Sequence, residues 1–302
     1  MCNLLVLSVL FAFVIVALGN ERNVLTDIPP TFDEDNGLKK TPNIIDDEFE
    51  LKRSPTIYYS SIYNESRING GVTVAQIVPY QVSLQVYRRN RWYHFCGGSI
   101  ITPHHVLTAA HCVNNMQPQE IHIVAGTLNW NKSGDRHRAL ALRKHPQFSM
   151  SPKIINDIAI VKVSPAFNLH KPTISTIHLG TTNRIGERVN VRITGWGSTT
   201  PSPSSGLPEK LQELRYQTIS NAECARRGFK VTQNEICALD VKGKGSCMGD
   251  SGGPLVTMHK PPQLVGIVSY GTVPCAQGIP DVYSRVSSFL PFINRVVANE
   301  IP

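Results

Sequence analysis

Beyond an apolar run at its amino terminus, this chain of 302 residues has no stretch long and apolar enough to span a bilayer. It also lacks any CxxC pair, any internal repeat of solenoid period and any low-complexity tract. The first lack weighs against a zinc site, the others against a repeat architecture. Helical periodicity is scarce. It surfaces only where Phe289, Phe292, Ile293, Val296 and Val297 recur at helical spacing, which predicts a closing helix. The amino-terminal run, residues 4–18, is broken only by Ser8 and lacks the usual preceding Lys or Arg. It ends in Ala17-Leu18-Gly19, with small residues at a spacing that suits signal cleavage, and it is shorter than the roughly 20 residues of a spanning helix. A signal peptide over residues 1–19 is therefore favoured over an uncleaved anchor, and export without a membrane segment is expected.

Removing the signal removes Cys2 and leaves Cys96, Cys112, Cys224, Cys237, Cys247 and Cys275. An even count in an exported chain reads as a disulfide framework, although counting alone allows 15 pairings. Residues 20–67 hold no cysteine, are rich in Pro, Asp and Glu, and show no sustained periodicity, so they read as a flexible leader. Ten acids against six bases give this leader a net charge of −4, whereas residues 68–302 carry 24 bases against 12 acids, net +12. Such a surface, including the Arg88-Arg89-Arg91 cluster, either attracts acidic groups or simply keeps the domain soluble. No nucleic-acid partner is expected. From residue 68 the texture changes to alternating runs at 81–87, 120–124, 188–194 and 263–270, separated by Gly, Pro, Asn and Ser, with a surface loop at 203–208. Many short strands so punctuated indicate an all-β barrel or sandwich.

Three segments carry chemistry. Gly249-Asp250-Ser251-Gly252-Gly253-Pro254 is a glycine-rich turn able to present a hydroxyl beside backbone N–H donors. Thr108-Ala109-Ala110-His111-Cys112 sets a histidine among small residues. Asn156-Asp157-Ile158-Ala159-Ile160-Val161 puts one carboxylate at the head of an apolar strand, where burial requires a donor such as a histidine. Each alone is commonly structural.

Together, in this order, and with Gly195-Trp196-Gly197 and Ser269-Tyr270-Gly271, they resemble the chymotrypsin/trypsin family of serine endopeptidases over residues 68–302. The resemblance implies two antiparallel six-stranded β-barrels, roughly 68–180 and 181–285, followed by a helix. It also implies Ser251 as nucleophile, His111 as general base and acid, and Asp157 orienting the imidazole, with no cofactor. The N–H groups of Gly249 and Ser251 would form the oxyanion hole. Disulfides would be Cys96–Cys112, Cys224–Cys237 and Cys247–Cys275. Protein or peptide substrates, protein inhibitors and a monomeric state are the implied partners.

Arg67-Ile68-Asn69-Gly70-Gly71 resembles the family's activation junction, cut by a trypsin-like protease so that the Ile68 amino group pairs with Asp250. Residues 20–67 would then be an activation propeptide. The specificity pocket departs from the trypsin pattern. Gly245 stands where an Asp selects Lys or Arg, and Asp281 stands where Gly is usual on the opposite wall. This combination is similar to the brachyurin-like collagenolytic proteases of crabs and insects and implies broad acceptance, with Met248, Ser269, Tyr270 and Gly271 completing the pocket. The alternative is that Asp281 turns away towards Tyr283 or backbone. Sequons stand at Asn131 and Asn64, the second within the leader. Residues 120–138 lack clustered carboxylates, so no metal is expected there.

Overall fold

The computed structural model describes residues 70–182, 185–200, 206–239 and 241–299. The signal and leader segments, with Arg67, Ile68 and Asn64, lie outside them, as do residues 203–205 of the expected loop.

The chain begins with a two-residue strand β1 (Val72–Thr73) and a hairpin of β2 (Gln81–Arg88) and β3 (Arg91–Thr102). Then follow β4 (His105–Thr108), a single helical turn α1 (Ala110–Val113), β5 (His122–Ala125), β6 (Asp135–Lys144) and β7 (Ala159–Ser164). Strands β2, β3, β4, β7, β6 and β5 close, in that order, into an antiparallel barrel. Val82 and Leu84 of β2 and Ile123 of β5 alternate inward and are fully buried, as period-2 patterning demands.

The second half holds β8 (His178–Leu179), β9 (Asn190–Gly195), β10 (Gln212–Ile219), a short helix α2 (Asn221–Arg226), β11 (Glu235–Leu239), β12 (Pro254–Thr257), β13 (Gln263–Tyr270) and β14 (Asp281–Arg285). Strands β9, β10, β11, β14, β13 and β12 form a second ring, closed by the pairing of β12 with β9. Val191, Ile193, Leu214, Tyr216, Ile236 and Tyr283 fill it. The expected all-β double barrel is what the chain forms. Helix α3 (Leu290–Asn299) follows, with Phe289 in the 3₁₀ turn just before it.

Two expected strands start late for local reasons. Glu120 belongs to a 3₁₀ turn opened by Pro118 and fastened by a reciprocal Gln117–Glu120 cap, so β5 starts at His122. Arg188 sits at φ +63, outside the β region, and β9 starts at Asn190.

The linear division at residue 180 is crossed at both ends of the chain. Strand β1 pairs with β10 of the second barrel, Val72 opposite Glu213, and β8 pairs parallel to β13. Conversely, Phe292 and Ile293 of α3 share one buried cluster with Ile158 and Ile160 of the first barrel. His145, just after β6, meets Phe289 and Phe292 edge-on at 5.4 and 5.1 Å. Strand β1 and helix α3 thus strap each barrel to the other.

Removing the Phe292 ring should therefore cost about 3–5 kcal/mol, as for other buried aromatics. Leu140, which is 55% exposed on β6, should cost no more than about 0.5 kcal/mol when changed to Ala. Urea unfolding of Phe292→Ala and Leu140→Ala checks this, and equal effects would refute the strap.

Candidate active site

His111 lies in α1, directly after β4, and Asp157 lies just before β7, the strand that pairs with β4. That pairing brings the two together. The Asp157 carboxylate is 2% exposed and accepts from both sides of His111: Oδ1 from the backbone N–H at 2.8 Å, Oδ2 from Nδ1 at 2.7 Å. A third donor comes from the other barrel, where the Ser269 hydroxyl on β13 reaches Oδ2 at 2.6 Å. The Ser284 hydroxyl on β14 binds the Asp157 carbonyl at 2.7 Å.

These donors set the charges. Burial alone would raise the Asp157 pKa, but the charge and hydrogen bond of His111, the Ser269 hydroxyl and the His111 N–H together hold it below 3.8. Burial alone would lower His111, yet Asp157 outweighs it and raises the imidazole above 6.5. Nδ1 is occupied by the carboxylate, which leaves Nε2, 3.7 Å from Cys112 Sγ, as the nitrogen not engaged by Asp157.

Ser251 sits in the turn before β12, half-buried, and the second barrel delivers it to the first. Its carbonyl accepts from Gly97 N–H on β3 at 2.7 Å. The next residue, Gly252, has φ +76, and a Cβ there would lie 2.2 Å from the Thr108 hydroxyl at the end of β4, three residues before His111. Only glycine permits this approach. Around Ser251 the N–H groups of Asp250, Gly252 and Gly253 all bond inward, to Cys247, Val268 and Asp250 carbonyls. Those of Gly249 and Ser251 donate to nothing among the described residues. Two free backbone donors therefore flank one hydroxyl, an arrangement suited to an oxyanion.

Two buried titratable groups stand behind this turn. The Asp250 carboxylate, 1% exposed, accepts from Cys247 N–H at 2.9 Å and Gly197 N–H at 2.8 Å. Gly197 must be glycine, because a Cβ would fall 2.3 Å from the Asp250 carboxyl carbon. Burial outweighs these two bonds and pushes Asp250 up to about 7. His94 on β3, which the sequence reading passed over, is bonded to the Ser83 hydroxyl at 2.7 Å and the Gly249 carbonyl at 2.9 Å. Burial, only partly offset by the Gly249 carbonyl, pulls His94 down to about 4 and keeps it neutral.

Residues 67–293 match the family described as Trypsin. This chain belongs to the trypsin family. It is 36% identical over 217 residues to "Chymotrypsin-2" of Vespa crabro, covering 72% of this chain and 93% of that protein. It is 36% identical over 252 residues to "Trypsin Blo t 3" of Blomia tropicalis, covering 77% and 87%. "Trypsin delta" of Drosophila erecta is 33% identical over 236 residues, covering 76% and 88%. The chain is a serine endopeptidase.

Around Asp281 stand the residues that the sequence led us to expect in a specificity pocket. Cys247–Cys275 ties the Ser251 turn to the segment before β14, and Cys96–Cys112 and Cys224–Cys237 are also bonded. The Asp281 carboxylate reaches across to both glycine walls. A Cβ on Gly271 would lie 2.8 Å from its Oδ1 and one on Gly245 3.2 Å from its Oδ2. Oδ2 accepts from Ser246 N–H at 2.6 Å, while the Tyr283 hydroxyl, its other suggested partner, is buried without one. Burial, against the Ser246 bonds and with some repulsion from Asp250, pushes Asp281 up to about 7. Met248 and Tyr270 are half-buried at this site, whereas Ser269, expected to contact substrate, turns its hydroxyl to Asp157. Ser284 was not anticipated. The signal for it was a polar residue inside a wholly buried strand, which requires a partner. An open hollow of about 610 Å³ lined by Asn114, Lys144, His145 and Met150 contains none of the anticipated site residues.

Asp157→Asn should leave the fold intact and lower kcat about 10⁴-fold, because the amide cannot hold the imidazole in the required tautomer. In the unsubstituted enzyme kcat/KM should rise with pH as His111 loses its proton, with a midpoint above 6.5. A midpoint below 6.5 in a pH–rate profile would contradict the dominance of Asp157 over burial.

Proposed function

We propose that this serine endopeptidase is an exported, precursor-activated enzyme that uses His111, Asp157 and Ser251, and that its pocket accepts both basic and large apolar residues. The observation that carries the catalytic reading is the convergence of both barrels on one site. The Asp157–His111 pair comes from the first, and the Ser251 hydroxyl with two unused N–H donors comes from the second.

In this reading Ser251 Oγ attacks the scissile carbonyl carbon while its proton passes to His111 Nε2. The carbonyl oxygen takes the negative charge between the Gly249 and Ser251 N–H groups. The carbon–nitrogen bond then breaks, His111 returns the proton to the leaving amine, and an acyl ester on Ser251 remains. A water molecule repeats the sequence through the same base and restores the hydroxyl. Asp157 stays ionised throughout and stabilises the imidazolium. A homologue that had become a binding protein would be expected to have lost one of these three residues, and this chain retains all of them.

The pocket reading rests on Asp281. A carboxylate beside Gly245 and Gly271 attracts a Lys or Arg side chain, but Ser246 holds one of its oxygens and it lies on the wall, so exclusivity for a cation is lost. Phe, Tyr and Leu then fit as well. The relatives carry both trypsin and chymotrypsin names, so they do not choose between the two preferences.

Activation rests on Asp250. A buried carboxylate held near neutrality by desolvation, with no cation contributing, suits an incoming ammonium. Gly70 packs against Gly243 and Lys244, four and three residues along the chain from Cys247, whose N–H holds Asp250. Cutting after Arg67 would free the Ile68 amino group two residues before Gly70, about 7 Å of extended chain. An activating protease with tryptic preference follows from Arg67. Export fits the three disulfides, with residues 1–19 as signal and 20–67 as propeptide. Asn131 is exposed, and its Nδ2 donates to Glu209 at 3.1 Å, a bond that an attached glycan would replace.

A peptide library offered to the chain cut at Arg67–Ile68 tests the function. Cleavage should follow both basic and large apolar residues and fall about 10⁶-fold in Ser251→Ala. The ratio of basic to apolar cleavage, from which the His111 titration cancels, should rise roughly tenfold between pH 6 and 8.5 as Asp281 ionises near 7. A pH-independent ratio would show that Asp281 does not read the substrate.

A second expectation concerns stability. In the uncut chain the raised Asp250 pKa means the folded state holds a proton that the unfolded state has released. The corresponding stability is present below about 3.8 and is lost as pH climbs through about 7. Pairing with Ile68 removes that loss. Cut Ser251→Ala should therefore melt roughly 5–10 °C above the uncut form at pH 7.5, with a smaller gap at pH 5. Calorimetry showing no gap at pH 7.5 would refute the pairing.

A further inference from the structure

The tip of the β2–β3 hairpin is built against local preference. Arg89 and Asn90 form its two-residue turn at φ 48 and 60, a geometry that favours Asn-Gly over a long side chain. Arg88 and Arg91 close the turn as a directly opposed pair of like charges, which destabilises a hairpin. All three arginines are exposed, and none of their side chains enters an ion pair or hydrogen bond among the described residues. The positive charge continues onto the barrel behind. The Arg136 guanidinium lies 3.8 Å over the Trp92 ring, and Trp92 meets Tyr87 at a tilt and His122 edge-on. Arg138 is paired with His122 across β5 and β6. Burial and then the charges of Arg136 and Arg138 lower the His122 pKa, as a local positive field requires.

This tip lies on the path of the departing half of a substrate. The leaving amine must be where His111 Nε2 can protonate it, and that atom is 3.7 Å from Cys112 Sγ. Cys112 is bridged to Cys96 on β3, and the pocket residues Gly245, Gly271 and Asp281 belong to the other barrel. The leaving peptide therefore runs along the β3 side. From His94, which touches the Gly249 carbonyl, to Arg91 is three residues of strand, and from Cys96 it is five. At about 3.4 Å per residue these are roughly 10 and 17 Å, the length of three to five residues of extended substrate.

We propose that Arg88, Arg89 and Arg91 form an exosite for acidic residues of a protein substrate, about three to five positions beyond the cleaved bond. This rests on the reading that Ser251 and His111 cleave the peptide. Guanidinium groups bind carboxylates in bidentate pairs, and a narrow tip of three suits a short acidic run.

The test uses the activated enzyme and the charge-reversed variant Arg88→Glu/Arg89→Glu/Arg91→Glu, with melting temperatures compared to confirm folding. Arg88→Gln/Arg91→Gln serves as a milder second variant. Quenched fluorescent peptides identical up to the cleaved bond carry three Glu or three Gln at the third to fifth positions after it. A short chromogenic amide with nothing beyond the bond serves as reference. The Glu peptide should be preferred about tenfold in kcat/KM, chiefly through KM, and the preference should shrink between 0.05 and 0.5 M salt. Charge reversal should abolish or invert it while leaving the amide rate unchanged, and the Gln variant should halve it or more. Binding of the labelled peptides to Ser251→Ala, followed by anisotropy, reads the exosite without turnover. Glu-dependent binding without hydrolysis of the amide would support the exosite and overturn the catalytic reading. Equal binding and cleavage of the Glu and Gln peptides overturns the exosite. So does that same equality where a heparin fragment binds through these arginines, which would assign the tip to sulfated polysaccharide.

Discussion

A carboxylate cannot leave water without donors, and Asp157 draws its donors from both halves of the molecule. His111 supplies two from the first barrel, while Ser269 and Ser284 reach the same residue from the second. The bonds that prepare the imidazole are thus also bonds that register the barrels. The backbone bond from Gly97 to Ser251 runs in the same sense. Neither half holds the site alone, and the straps at β1 and α3 make sense as devices that keep the halves in that register.

The three buried aspartates near the cleft differ by their partners. Asp157 has an imidazole and stays ionised. Asp250 and Asp281 have only backbone and hydroxyl donors, and desolvation holds both near 7. Hydrogen bonds from neutral groups offset burial only in part, whereas a neighbouring cation reverses it. Two buried carboxylates left so poised lack the cation that would hold them ionised at neutral pH.

The net +12 of residues 68–302 is likewise uneven in its meaning. Lys132 pairs with Glu209, Lys171 with Asp135, and Arg226 and Arg227 with Glu223. The hairpin arginines have no such partner among the described residues. They surround a two-residue turn whose Arg89 and Asn90 both take positive φ.

The residue pattern alone announced an all-β protein. Period-2 runs survive as β2, β5, β9 and β13, and helical spacing near the end survives as α3. The strands at 120 and 188 were displaced because a 3₁₀ cap and a positive φ, both short-range backbone effects, are invisible to hydrophobic spacing. His111, Asp157 and Ser251 could be singled out because their three segments, each commonly structural alone, together and in order resemble one protease family. His94, Ser284 and the turn of Ser269 towards Asp157 could not, since each depends on a contact across more than a hundred residues of chain. Composition and local pattern thus determined which side chains this protein has available and the repeat of its strands. Only the closed barrels decided which of them meet, because hydrogen bonds and desolvation act over a few ångströms in space and take no account of distance along the chain.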